Sequence, residues 1–342
     1  MLDVAAPASD QIVGTIAGPV THRSPVRWFA IAFFAIALGF AAVAQATGQV
    51  FFFRLATEAL IFGGLALSVD LLLGITGLLP LGQALFFGFG AYVSALVLKS
   101  VPSFWLALAV AVVASAAFGL VAGIIAIRAK GVYFALISFG LAQVLSKAVY
   151  NTRELGASDG IIGIPAPPIP LGIATVDAAS PGGFFLVVLV AIALVYVGLA
   201  YLLETPFGRQ LGAIRVNAHR VAFLGFAAWR YKLAVFVLAA VVAGFAGALY
   251  PMLRGFVSPE LMFFTVSGNA VINVIVGGAG TLIGALYGSA ILTVLRSVIG
   301  SFTEHHQLVI GAIFVVSVIF FPKGLIGYAV QAVESRRGSR RS

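Results

Sequence analysis

No cysteine occurs anywhere in the 342 residues, which excludes disulfides, thiolate zinc sites and iron–sulfur clusters. Charge is nearly as scarce. Asp, Glu, Lys and Arg make up 9% of the chain, against about 25% in an ordinary globular domain. Also missing is any G-x-x-x-x-G-K-[ST], so the chain does not itself cradle ATP phosphates. No nucleophile–base pair emerges; the chain does not read as an enzyme, and no cofactor is expected. What is present is apolar: 61% of the residues are hydrophobic, more than a water-soluble core absorbs. The natural solvent is lipid. A net charge of +9 would suit nucleic acid, but the basic residues fall between apolar runs and at the two ends. That is the positive-inside pattern of a membrane protein, and nucleic acid is not an expected partner.

A spanning helix needs about 20 mostly apolar residues. The expected fold is therefore an all-α integral membrane protein of about ten transmembrane helices. The spans fall at 27–46, 54–73, 82–98, 104–127, 132–150, 183–203, 232–250, 266–279, 281–299 and 307–321. Ten crossings put both termini on one side. Arg23 and Arg27, Arg128 and Lys130, a basic segment at 204–231 and the Arg-rich end all land on that side, which marks it as cytosolic. Residues 1–26, with Pro7, Pro19 and Pro25, read as a disordered cytosolic arm. The membrane body covers 27–325, and 326–342 read as a solvated basic tail. On the far side the longest segment, 151–182, is rich in Pro and Gly and reads as an ordered external loop.

Two spans are short, 266–279 and 82–98, and both adjoin Gly-rich breaks, "GITGLLPLG" and "GGAGTLIG". Broken helices at membrane depth are tolerated where they are buried in protein or line a cavity. Gly74, Gly77, Gly277 and Gly280 mark these breaks and are candidates for a translocation path. So are Asp70, Gln83, Asn269 and Asn273. Intramembrane polar groups serve either interhelical hydrogen bonding or a conduit. The same alternatives hold for Ser138 and Gln143. Arg54 and Glu58, spaced i, i+4, are expected to pair with each other. His305 and His306 with Glu304 do not make a convincing metal site.

The segment "TPFGRQLGAIRVNAHRVAFLGFAAWRYKLAVF", residues 205–236, stands apart. It is too polar to span, and Leu211, Ile214, Ala218 and Val221 recur at helical spacing. It reads either as an amphipathic helix lying on anionic membrane lipid or as a docking helix for a cytosolic partner, broken at Gly225.

With "PFGRQLGAIR…LGF…RYKLAVFVLAAVVAGFAGALY" in view, the chain resembles the LivM-type permease subunits of ATP-binding-cassette importers for branched-chain amino acids. "DLLLGITGLLPLGQALFFGFGAYVSAL", "KGVYFALISFGLAQVL", "GFVSPELMFF", "VIVGGAGTLIGALYG", "SFTEHHQLVIGAIF" and "FFPKGLIG" extend the resemblance in order over most of the chain. The resemblance implies a type II importer-like permease and several partners: a second, LivH-type permease subunit, two ABC ATPase subunits and a periplasmic substrate-binding protein. It also implies that 204–231 is the loop seated in a cleft of the ATPase, with Leu211, Ile214, Arg215, Ala218, His219, Arg220, Val221 and Gly225 as coupling residues. His219-Arg220-Val221 stands where the family carries an acid, and Gln83 stands where His is frequent. Relatives of this family also carry urea, short amides or aromatic acids. The rival from another class is an ion-gradient-driven transporter, for which Asp70 is the candidate coupling acid.

Overall fold

The computed structural model describes residues 24–47, 49–170, 175–177, 180–302, 306–320 and 324–330. It is built almost wholly of helices: α1 (Ser24–Thr47), α2 (Val50–Asp70), α3 (Ala84–Ser100), α4 (Phe104–Ala126), α5 (Val132–Asn151) and α6 (Pro181–Glu204). There follow α7 (Pro206–Phe223), α8 (Ala228–Arg254), α9 (Phe264–Gly277), α10 (Ile283–Gly300) and α11 (His306–Phe320). Among the described residues, seven helices are long and apolar enough to cross a membrane. α3 and α9 are apolar but shorter, and each adjoins one of the Gly-rich breaks.

Burial divides the long helices into two classes. In the most apolar window of α2, 83% of residues are buried, and in that of α8 67%, whereas α1 has 17% and α4 28%. α2 and α8 therefore form the centre, and α1 and α4 face the surrounding lipid. α4 shows how the sequence achieves this. Its buried stripe is Ala107, Ala111, Ser115, Gly119, Ala122, Gly123 and Ala126, while Val113, Leu120, Val121, Ile124 and Ile125 point outward. Large apolar side chains gain nothing by leaving lipid for protein, so small residues take the interface and let backbones approach. α3 and α8 approach each other closely in this way. A Cβ on Gly247 would overlap the Phe87 carbonyl, and one on Gly90 would overlap Gly244.

Four two-residue strands tie the loops together. β1 (Ile161–Ile162) pairs antiparallel with β4 (Phe256–Val257), and β2 (Ile169–Pro170) pairs with β3 (Thr175–Val176). The long 151–182 segment is thus pinned to the turn that follows α8. Trp105 Nε1 donates to the Pro170 carbonyl at 2.9 Å and fixes it to α4 as well.

Three expectations change. Arg54 and Glu58 do not pair with each other; Glu58 accepts from Arg254 at 2.7 Å, because the ends of α2 and α8 lie side by side. The first helix begins at Ser24, not 27, and the rest of the 1–26 arm lies outside the described residues. The tail expected at 326–342 starts as structure: residues 324–330 are helical, with Ile326 and Val330 buried. Residues 331–342 lie outside the described residues, as do Glu304 and His305 and the side chain of His306.

The α3–α8 crossing yields a direct test. Gly247→Leu is expected to abolish a monodisperse detergent-solubilised protein. Gly198→Leu, where a Cβ meets nothing within 4 Å, should leave the elution profile and melting temperature unchanged. Equal behaviour of the two variants in fluorescence-detected size exclusion would refute this packing.

Candidate functional site

The two Gly-rich breaks meet at one carboxylate. After Asp70 the helix widens into a π-helical turn, Leu71–Ile75, a form that concentrates at functional sites. The chain then runs irregularly from Gly77 to Gln83 before α3 begins. The second break, between α9 and α10, carries Gly278, Gly280 and Leu282 at positive φ. Asp70 is fully buried and accepts from the backbone N–H of Gly280 at 2.6 Å through Oδ1. Its other oxygen, Oδ2, accepts from that of Leu282 at 2.8 Å. A leucine at φ +55 is a strained backbone, of order 1–3 kcal/mol, that persists only where its surroundings over-determine it. The carboxylate supplies that determination. Thr281 helps by donating to the Gly278 carbonyl and accepting from the N–H of Gly284.

Glycine is required at Gly74 for a separate reason. A Cβ there would overlap both Asp70 Oδ1 and the Gly280 backbone. The two breaks therefore touch backbone to backbone.

Arg215 of α7 completes the arrangement. Its Nη1 donates to the Gly74 carbonyl, and its aliphatic stem lies 3.3 Å from where a Cβ on Gly77 would stand. Gly74 sits at the end of the α2–π segment, where carbonyls have no helical partner and the dipole favours a cation. Burial lowers the Arg215 pKa and the nearby Asp70 charge raises it; a guanidinium stays charged under such opposing influences.

The rest of α7 turns out differently from the amphipathic stripe expected. Leu211, Ile214 and Val221 are buried against the chain itself, and Ala218 is half-buried. The expected docking stripe faces inward because the membrane body offers α7 an apolar seat. The exposed residues include Arg209, Val216, His219, Arg220, Phe223, Leu224 and Gly225. α7 is also not one straight helix. Asn217 has an extended backbone, φ −160 and ψ 100, and its Oδ1 accepts from the N–H of Arg220 at 3.0 Å. That is a helix cap in the middle of the segment, so α7 bends at Asn217 and restarts. Gly225, at φ +84, closes the turn into α8.

Of the polar path candidates, Asp70, Gly74, Gly77 and Gly280 come together. Gly277 instead seats the α9–α10 contact, where its Cβ would overlap the Gly284 carbonyl. Gln83 is buried at the mouth of α3 with Nε2 unpartnered. Around it the break is anchored by two serines: Ser267 accepts from the N–H of Ala84 at 2.9 Å, and Ser138 from that of Leu81 at 3.2 Å. Asn269 and Asn273 line a separate small cleft with Arg296. Sequence reasoning passes over Ser267, Leu282 and Arg296. For Arg296 the signal was available, since a charge inside a span is suspect by itself. A larger cleft of about 610 Å³, between α4 and α6, has apolar walls throughout and nothing to recognise a polar solute.

The family model for the permease component of branched-chain amino acid transport systems matches residues 51–318. The chain belongs to this permease family. It is 31% identical to the high-affinity branched-chain amino acid transport system permease protein LivM of Salmonella typhimurium, over 80% of this chain and 69% of that protein. Against the LivM of Escherichia coli the identity is 30%, over 83% and 72%. The LivH permease of Salmonella typhimurium is 23% identical, over 77% and 90%. No solved structure matches significantly. The permease is thus a multi-pass membrane protein with a role in transport.

The Asp70 contacts give a graded expectation. Asp70→Ala leaves two buried N–H groups unsatisfied, at about 1–3 kcal/mol each, whereas Asp70→Asn keeps one acceptor. Thermal unfolding of the purified permease should rank wild type above Asn and Asn above Ala. An Ala variant as stable as wild type would remove the carboxylate from this role.

Proposed function

We propose that this chain is the membrane-spanning subunit of an ATP-driven importer that translocates branched-chain amino acids or a related small polar solute. A periplasmic binding protein delivers the solute, a second permease of the LivH type pairs with this one, and two ABC ATPase subunits bind the cytosolic face. The assembly lies in the inner membrane with both termini in the cytosol. Ten crossings follow when α3, α9 and α11 are counted with the seven longer spans, in the broken-helix manner of a type II importer.

The observation that carries this reading is the Arg215 contact. One side chain joins the basic segment outside the membrane to both breaks inside it, so a partner that moves α7 acts on the breaks directly. The partner's surface is marked by Phe223 and Leu224, 90% and 74% exposed beside basic Arg220. Large apolar side chains at the tip of a basic elbow suit an apolar seat in another protein. Asp70, the candidate coupling acid of the ion-gradient alternative, accepts from the backbone N–H groups of Gly280 and Leu282, which supports a structural role for it.

Orientation is testable because the chain has no cysteine. An impermeant thiol reagent added outside intact cells should label Ser158→Cys, and should reach Ala222→Cys only after permeabilisation. Both positions are exposed, so the reverse pattern would sink the orientation.

Coupling is tested on the elbow. Gly225→Val forces a β-branched residue to φ +84, and Phe223→Ser removes the apolar tip. Both should lose substrate-stimulated ATPase activity and uptake while the permease still inserts. Arg220→Ala should matter less, since an exposed ion pair is worth about 0–1 kcal/mol. If instead Arg220→Ala releases α7 from the membrane surface and Gly225→Val couples normally, α7 is a lipid-surface helix.

A further inference from the structure

The cleft between α9 and α10 is chemically unlike the rest of the membrane body. Its walls are Arg296 and Thr293 from α10, Asn269 and Asn273 from α9, and the apolar Phe62, Val266 and Ala270. Asn269 and Asn273 share one face of α9 at i, i+4, as Thr293 and Arg296 share one face of α10 at i, i+3. The two helices touch backbone to backbone one turn further toward the break, where a Cβ on Gly288 would overlap the Asn273 carbonyl. The cleft opens beyond that contact.

Two groups in it lack hydrogen-bond partners. Arg296 lies within a span, where an uncompensated charge is expensive. Among the described residues it makes no hydrogen bond and no ion pair. The acid on its side of the molecule, Glu58, is held by Arg254 at 2.7 Å. Asn273 is 6% exposed, and its Oδ1 is buried with no hydrogen-bond partner. A cation offering only donors thus stands beside an amide oxygen asking for one. The guanidinium fork matches a carboxylate, and the amide oxygen matches an ammonium.

We infer that this cleft is a station for the zwitterionic head of an α-amino acid, Arg296 taking the carboxylate and Asn273 Oδ1 the ammonium. The inference rests on the importer reading and adds to it the part of the solute that is recognised. The cavity, about 50 Å³, has room for roughly one or two water-sized groups, so only the charged groups of the head enter it. Phe62, Val266 and Ala270 are the apolar surface an aliphatic side chain meets. Arg296 is thirteen residues from the start of α10, about 20 Å along the helix. The station therefore lies toward the membrane face opposite Arg215, on the side of β1 and β4.

The test uses the purified importer complex in liposomes, with Val266→Cys as the sole cysteine in this chain. A small anionic thiosulfonate reagent modifies it, and leucine, leucinamide and 4-methylpentanoate are compared as protectants. Leucine at about ten times its half-protecting concentration should slow modification roughly tenfold. 4-Methylpentanoate should protect less, and leucinamide should not protect. With Arg296→Gln added, protection by leucine should vanish. Equal protection by leucinamide and leucine, or none by leucine, overturns the inference. Wild-type ATP-dependent leucine uptake is measured alongside: its absence counts against the importer reading, whereas the protection pattern judges the cleft. Should Val266→Cys not react, uptake decides. Arg296→Gln is then expected to lower it roughly tenfold, with Arg296→Lys partly active and the second permease still co-purifying. Full uptake in Arg296→Gln, or loss of the second permease from the complex, makes Arg296 something other than a solute ligand.

Discussion

A single buried carboxylate holds the two interrupted helices of this permease in place. Without Asp70, the turn from Gly277 to Ile283 would bury two N–H groups with no acceptor and keep a leucine in a left-handed conformation with nothing to hold it there. Both penalties are comparable with a sizeable part of a domain's stability. Asp70 removes the first and sustains the second. Its position is itself conditional: it lies at the last α-turn before the π-helical segment, and Gly74 must lack a side chain for the second break to come within reach.

Around that point the molecule is a frame of small residues. α2 and α8 are buried at the centre, with Leu60, Ile61, Leu65, Val235 and Phe236 in the core, and glycine and alanine let the helices meet at backbone distance. On peripheral α4 it is the small residues that pack inward and valine, leucine and isoleucine that turn outward. Interiors packed at native density are bistable rather than continuously deformable. The breaks are the places where the frame is interrupted, and their backbone N–H groups donate to Ser138, Ser267, Thr281 and Asp70.

Much of this was legible in the sequence. The apolar runs located the helices to within four residues at each end, and the Gly-rich stretches next to short spans marked both breaks. The basic, helix-prone segment after α6 was visible as an exception to its surroundings. What periodicity does not carry is which way a face points. Leu211, Ile214 and Val221 form the stripe expected of a docking surface, yet they dock on their own chain, because a membrane body presents an apolar seat that a soluble one lacks. Local spacing likewise suggested Arg54 for Glu58, but the partner is Arg254, 196 residues away, since helix ends brought together by the fold outcompete a neighbour at i+4. Asp70 drew notice as a buried charge; that its partners are backbone amides 210 and 212 residues on is information only the fold contains.

The position of Arg215 constrains how any cytosolic partner can act. A partner shifts a conformational equilibrium only by as much as its contacts differ between the two states. Leu211 and Ile214 seat the first half of α7 on the membrane body, and the cap at Asn217 makes the second half a separate short helix. Pressure on the exposed tip at Phe223 and Leu224 is therefore resisted by the first half and transmitted at the bend, two residues from Arg215. If the guanidinium leaves, the Gly74 carbonyl loses its donor and Asp70 a neighbouring cation, while Asp70 keeps its bonds to Gly280 and Leu282. The second break would then stay attached to α2 while the end of α2 is released. Displacement of α7 would thus act on α2 and α10 together, as one unit joined through Asp70, and not on either break alone.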